Sequence, residues 1–126
     1  MGAVPGRASG LGHPDLIWRG EIYDVDLGQP VGREPAFVRP AVVISSDLIN
    51  NGPGELVVVV PVTSVTYGLR SHVELDAGSS GLDHTSYARC DQLRVISSRR
   101  LSYRRGLVPP DELLVMDQAL RFVLGL

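Results

Sequence analysis

From Gly20 to Asp26 the residues Gly-Glu-Ile-Tyr-Asp-Val-Asp alternate apolar and polar, the period of a strand with one face buried. Pro40 to Ile44 is a short apolar run and predicts a buried strand. Leu56 to Val60 is continuous and β-branched, which predicts a central strand, and Pro61-Val62-Thr63-Ser64 ends it. His72-Val73-Glu74-Leu75 alternates again. Ser86 to Ile96 predicts a long strand whose alternation slips: Ala88 and Cys90 share one parity, Leu93 and Val95 the other. A bulge or bend near Asp91-Gln92 would account for the slip. The period then changes to that of a helix, with Leu113, Met116, Leu120 and Val123 on one face. Pro110 suits the first helical position and Asp111 and Glu112 favour its N-terminus, while Pro109 stands where a capping Ser, Thr or Asp is usual.

Between these elements lie breaks of different kinds. Residues 1–17 are rich in Gly, Pro and Ala without periodicity and read as a flexible leader, leaving 18–126 as a single domain. Leu27 to Val38 holds Gly28, Pro30, Gly32 and Pro35, a long loop of the kind that often carries function. Ser45 to Asn50 reads as a capped helical turn, broken by Asn51-Gly52-Pro53-Gly54, and Ser79 to His84 as a turn. Five or so short strands followed by one helix predict a mainly β protein: a small SH3-like, half-open antiparallel β-barrel with a C-terminal α-helix packed on it.

Composition narrows the picture. A chain of 126 residues buries a core without staples. Its longest apolar run, Leu56 to Val62, is strand-length and well short of the roughly 20 residues that span a bilayer, so no membrane role is expected. The N-terminus lacks the apolar stretch of a secretory signal, and Cys90 is the only cysteine, which fits a reducing cytoplasm. All 12 basic residues are arginine, yet the net charge is −2, so positive potential must be concentrated locally; Arg99, Arg100, Arg104 and Arg105 form one such cluster, read either as a solvated loop or as a surface for RNA or a partner. His72 and His84 form a histidine pair of the kind that could move protons near neutral pH. His72 alternates with core positions and should point away from the core, and His84 sits in a turn, so neither is expected to be catalytic. Asp24 and Asp26 share a strand face, but no His, Cys or Asp set has metal-ligand spacing, and no metal or other cofactor is expected.

Three segments carry candidate chemistry: the loop Gly32-Arg33-Glu34-Pro35-Ala36-Phe37-Val38 running into Arg39-Pro40, the strand end Pro61-Val62-Thr63-Ser64, and Asp91-Gln92-Leu93-Arg94. With the opening Arg19-Gly20-Glu21-Ile22-Tyr23, the strand His72-Val73-Glu74-Leu75 and the closing Leu124-Gly125-Leu126, they form an ordered set. From Trp18 to Leu126 it resembles the MazF/PemK family of toxin endoribonucleases. The resemblance implies metal-independent cleavage of single-stranded RNA. The 2′-hydroxyl attacks the adjacent phosphorus and leaves a 2′,3′-cyclic phosphate and a 5′-hydroxyl. Glu34 matches the family's loop glutamate, a general base; Arg39 matches its Arg-Pro arginine, assigned first to stabilising phosphorane charge and second to proton transfer; Thr63 matches a threonine that donates to the phosphate. Arg33, Phe37, Ser64, Arg70, Gln92 and Arg94 are the expected RNA contacts. The family further implies a cytoplasmic homodimer and a MazE-like antitoxin whose acidic C-terminal tail fills the RNA groove.

One departure bears on specificity. The family's glutamate is usually followed by Gln-x-Gly, where this chain has Pro35-Ala36-Phe37. Pro35 removes a backbone donor, and Phe37 offers a ring for stacking on a base. Two alternatives stand beside the ribonuclease. A nonenzymatic toxin of the same fold would bind a protein such as DNA gyrase through a Trp-bearing C-terminal tail, but the only tryptophan here is Trp18. An SH3-like binding module without activity is the other.

Overall fold

The computed structural model describes residues 8–9, 16–29, 31–33, 37–78 and 80–126. Its strands are β1 (Ala8–Ser9), β2 (Glu21–Asp26), β3 (Val38–Val43), β4 (Leu56–Thr63), β5 (His72–Leu75), β6 (Ser86–Arg89), β7 (Arg94–Ser97) and β8 (Leu101–Leu107); its helices are α1 (Asp47–Asn50) and α2 (Pro110–Leu124). They form a curled, unclosed sheet in the order β1-β8-β2-β3-β4-β6-β5, with β7 also paired to β4. Every pairing is antiparallel except β1 with β8, where Ala8 and Ser9 lie opposite Tyr103 and Arg104. The expected fold class, a mainly β half-open sheet with a C-terminal helix, is the one observed. Most of the leader expected over 1–17 falls outside the described residues; Ile17 belongs to the packed body, buried and bonded through its backbone to the Asn51 side chain.

The apolar runs are continuous because the curl buries both faces of its central strands. On β3, Val42 faces one cluster with Ile22, Val60, Val62, Leu75 and Met116, while Ala41 and Val43 face another with Tyr23, Val25, Val57, Val59 and Leu101. The same split explains why β2 is more deeply buried than its alternation suggests: Ile22 enters the first cluster, and Tyr23 and Val25 enter the second. Glu21 is buried too, because it accepts from the Trp18 amide (2.6 Å) and the Tyr23 hydroxyl (3.1 Å) and pairs with Arg104.

The helix α2 closes the first cluster with the face read from its period. Met116 and Leu120 are buried, Leu113 and Val123 pack against the cluster, and Ala119 joins them. Pro109 is its N-cap and offers no side-chain bond; Gly125, at φ 71°, ends it in the left-handed conformation that glycine adopts without strain. The short helix α1 is capped by Ser46, whose side chain accepts from the Ile49 amide.

Two expectations need correction. The strand expected over Ser86–Ile96 is two strands, β6 and β7, joined by a 3₁₀ turn at Cys90–Gln92, and both pair with β4. After that turn Ile96, not Val95, points inward; Val95 is exposed. The arginines 99–105 are not a loop cluster. They span a 3₁₀ turn and β8, where Arg104 is buried against Glu21, Arg105 holds Asp24, and Arg99 pairs with Glu55. Arg104 and Arg105 both stand on β8 and are tied to acids of β2, while Arg99 and Arg100 are exposed on the turn before it.

Candidate active site

Antiparallel pairing puts Ala41 of β3 opposite Pro61 of β4. Two residues further along each strand, on the same side of the pleat, stand Arg39 and Thr63. They meet in a pocket of about 240 Å³ lined by Arg39, Pro40, Val62, Thr63, Ser64, Leu82, Asp83, His84, Ser86 and Arg105. Four strands (β3, β4, β6 and β8) and the loop before β6 thus converge on a cavity lined by two arginines, a histidine, an aspartate and hydroxyls.

Each wall is fixed by local structure. Arg39 lies opposite Val25 in the β2–β3 ladder, so its backbone is held on a central strand while its side chain is half-buried. Thr63 is buried at the end of β4, opposite Tyr87, and its Oγ1 accepts from the Val65 amide at 3.2 Å, which leaves the hydroxyl proton available to donate. Ser64, next in the chain, is exposed at the pocket mouth. Arg105 enters from β8, its Nε and Nη2 on the two Asp24 oxygens at 2.7 and 3.3 Å. That hydrogen bond raises its already high pKa, against the opposing effect of partial burial, so Arg105 is a permanent charge with one carboxylate committed to it.

The loop upstream of Arg39 is closed at its base. The Leu27 amide donates to the Phe37 carbonyl at 2.8 Å and the Phe37 amide to the Gly28 carbonyl at 2.9 Å. Arg94 reinforces the closure by donating to the Leu27 carbonyl at 3.1 Å. Phe37 itself is exposed and held at φ 55°, a left-handed conformation costing on the order of 1–3 kcal/mol for a residue with a Cβ. The ring is two residues from Arg39 in the chain. Glu34 lies outside the described residues.

The remaining expected contacts are spread around this centre. Arg33 is exposed on the loop, and its carbonyl lies 3.5 Å from Arg89 Nη2. Gln92 is in the 3₁₀ turn between β6 and β7. Arg70 is not in the pocket: its guanidinium stacks 4.1 Å above the Phe122 ring, beside a second cavity of about 210 Å³ against α2. His72, expected to point away from the core, has a side chain that is almost fully covered. Nε2 is 3.1 Å from Asp91, and the ring meets Tyr67 edge-on. His84 and Arg105, which the sequence reading did not assign to the site, both line the pocket. Among the described residues no three His, Cys, Asp or Glu side chains gather as a metal site, and Asp24, a possible ligand by its strand position, is bound to Arg105.

Fold and pocket together define a small curled-sheet protein with two arginines, a histidine and hydroxyls gathered at one cavity. Residues 18–124 match the family of PemK-like, MazF-like toxins of type II toxin–antitoxin systems, and the chain belongs to that family. It is 39% identical over 116 residues to endoribonuclease MazF9 of Mycobacterium tuberculosis, covering 88% of this chain and 98% of that protein. It is 31% identical over 112 residues to endoribonuclease EndoA of Bacillus subtilis, covering 88% and 97%. A MazF structure from Deinococcus radiodurans superposes with a TM-score of 0.75 at 26% identity, covering 88% of this chain and 98% of that one. A MazE–MazF structure from the same organism gives 0.68 at 26% identity, covering 88% and 97%.

Proposed function

We propose that this chain is the toxin of a type II toxin–antitoxin pair and an endoribonuclease that cuts single-stranded RNA without a metal. One observation carries the reading: in a chain of this family, Arg39 and Thr63 stand side by side on adjacent strands at the wall of an arginine-lined pocket. The 2′-hydroxyl gives its proton to Glu34 and attacks the adjacent phosphorus. Arg39 neutralises the charge that grows on the phosphorane, and Thr63 donates to one of its oxygens. The products are a 2′,3′-cyclic phosphate and a 5′-hydroxyl. Phe37 stacks on a base, and Arg33, Ser64, Gln92, Arg94 and Arg70 contact the strand on either side. The protein acts as a cytoplasmic homodimer, and an antitoxin of the MazE kind silences it by laying an acidic tail where RNA would bind. No helix among the described residues is long and apolar enough to cross a membrane.

The test is cleavage of RNA by purified protein in EDTA, with sequencing of the 5′-hydroxyl ends and single-turnover rates on a short RNA containing the site found. Arg39→Ala should slow cleavage by about 10²-fold or more, the scale for losing one preorganised charge donor. Arg39→Lys should not restore the rate, because a point charge lacks the planar fork. Glu34→Ala should slow it as well, with a loss that shrinks as hydroxide takes over at high pH. Full activity in a folded Arg39→Ala protein, or activity that disappears with EDTA and returns with Mg²⁺, would overturn the proposal.

A further inference from the structure

Cleavage by an internal hydroxyl requires two proton movements: one leaves the attacking 2′-oxygen, and one must reach the departing 5′-oxygen. Glu34 serves the first. Arg39 is poorly suited to the second, because a guanidinium with a pKa above 12 holds its proton too tightly to give it up at neutral pH. Of the side-chain types lining the pocket, only imidazole ordinarily exchanges a proton between pH 5 and 8, and the pocket contains one, His84.

The loop carrying His84 is anchored, although its side chain is exposed. Ser80 Oγ donates to the Asp76 carbonyl at 2.8 Å and accepts from the Leu82 amide at 3.3 Å; Leu82 is buried in the core under α2. Gly81, at φ 72°, lies so close to β8 that a Cβ there would stand 2.0 Å from the Arg105 carbonyl oxygen. Ser86 Oγ donates to the carbonyl of His84 itself at 3.1 Å. The histidine backbone is therefore fixed on both sides at the pocket wall. The charged groups facing it are Arg39 from β3, Arg105 from β8 with its Asp24 partner on β2, and Asp83 beside it in the chain. A phosphate entering the pocket would meet Arg39, Thr63 and His84 on its walls.

We propose that His84 is a catalytic residue, the general acid of the cleavage step. As the 2′-oxygen forms its bond to phosphorus, the bond from phosphorus to the 5′-oxygen breaks and its electron pair stays on that oxygen. The imidazolium N–H of His84 supplies the proton, leaving a 5′-hydroxyl and a neutral imidazole that solvent reprotonates. This rests on the ribonuclease reading and divides its labour: Glu34 takes a proton, His84 gives one, and Arg39 and Thr63 hold the charge between them.

The decisive experiment compares two short RNAs that differ only at the cleaved link, where the leaving 5′-oxygen is replaced by sulfur in one. Sulfur departs without protonation. His84→Gln, and His84→Ala as a second variant, should cut the oxygen RNA about 10²-fold more slowly than the unmodified protein, at the lower end of general acid catalysis. Both should cut the sulfur RNA at nearly the unmodified rate, and the fall in rate on the alkaline side of the pH profile should vanish. An equal loss on both RNAs, or no loss on the oxygen RNA, overturns the assignment of His84 alone. An unmodified protein that cuts neither RNA overturns the ribonuclease reading together with it.

Discussion

Cys90 is buried on the turn between β6 and β7, and its thiol is pushed up to about 12, first by burial and then by the charge of Asp91. The sign of its effect follows from linkage. Below pH 9.0 the thiol is neutral folded or unfolded and contributes nothing; from there to about 12 only the unfolded chain ionises, so folding loses stability as pH rises. Urea unfolding of Cys90→Ala should therefore show a flatter decline above pH 9 than the parent, and a thiol reagent should label Cys90 only after unfolding. That Cys90 belongs to the core was legible from strand position alone. Arg39 and Thr63 are singled out by motif and strand end, but that they line one pocket emerges only once β3 and β4 are paired. His84 is not singled out, since a turn residue reveals nothing of the wall it stands against until β3, β4 and β8 are placed around it.

Among elements, α2 was the easiest to read and β8 the hardest. Four apolar residues at helical spacing specify one buried face, and that face is the one packed. In β8 the sequence Leu-Ser-Tyr-Arg-Arg-Gly-Leu breaks alternation with two arginines, and the strand meets β2 through register shifts at Ile22/Tyr23 and Tyr23/Val25. Arg104 is buried there only because Glu21, 83 residues earlier, faces it. A buried pair of this kind is weak evidence of net stability, but breaking it strands a charge. Arg104→Ala should destabilise the fold by about 3–5 kcal/mol in chemical denaturation, and Arg104→Ala with Glu21→Gln should recover much of that loss. Recovery of nothing in the double variant would mean that Arg104 acts through packing rather than through the stranded carboxylate.

For the whole molecule, the arrangement of charge reverses the expectation of an arginine cluster. Arg19, Arg99, Arg104 and Arg105 are each tied to an acid, so these four contribute less free positive charge than an arginine cluster would. Apolar surface is instead plentiful: Val65, Tyr67 and Leu69 on the loop after β4, and Leu114, Val115 and Phe122 on α2, are all exposed. Exposed apolar residues in such number fit a protein that covers part of its surface with a second copy. Light scattering at micromolar concentration should return twice the mass of one chain, and a monomeric mass would count against the homodimer. The long loop adds a last point. Its two ends are stitched together by the Leu27–Phe37 and Gly28–Phe37 backbone bonds, which help hold the β2–β3 register at the loop's base. Loop length costs little once the ends are joined. Substitutions at Pro35 and Ala36, leaving Glu34 in place, should therefore change RNA preference more than stability.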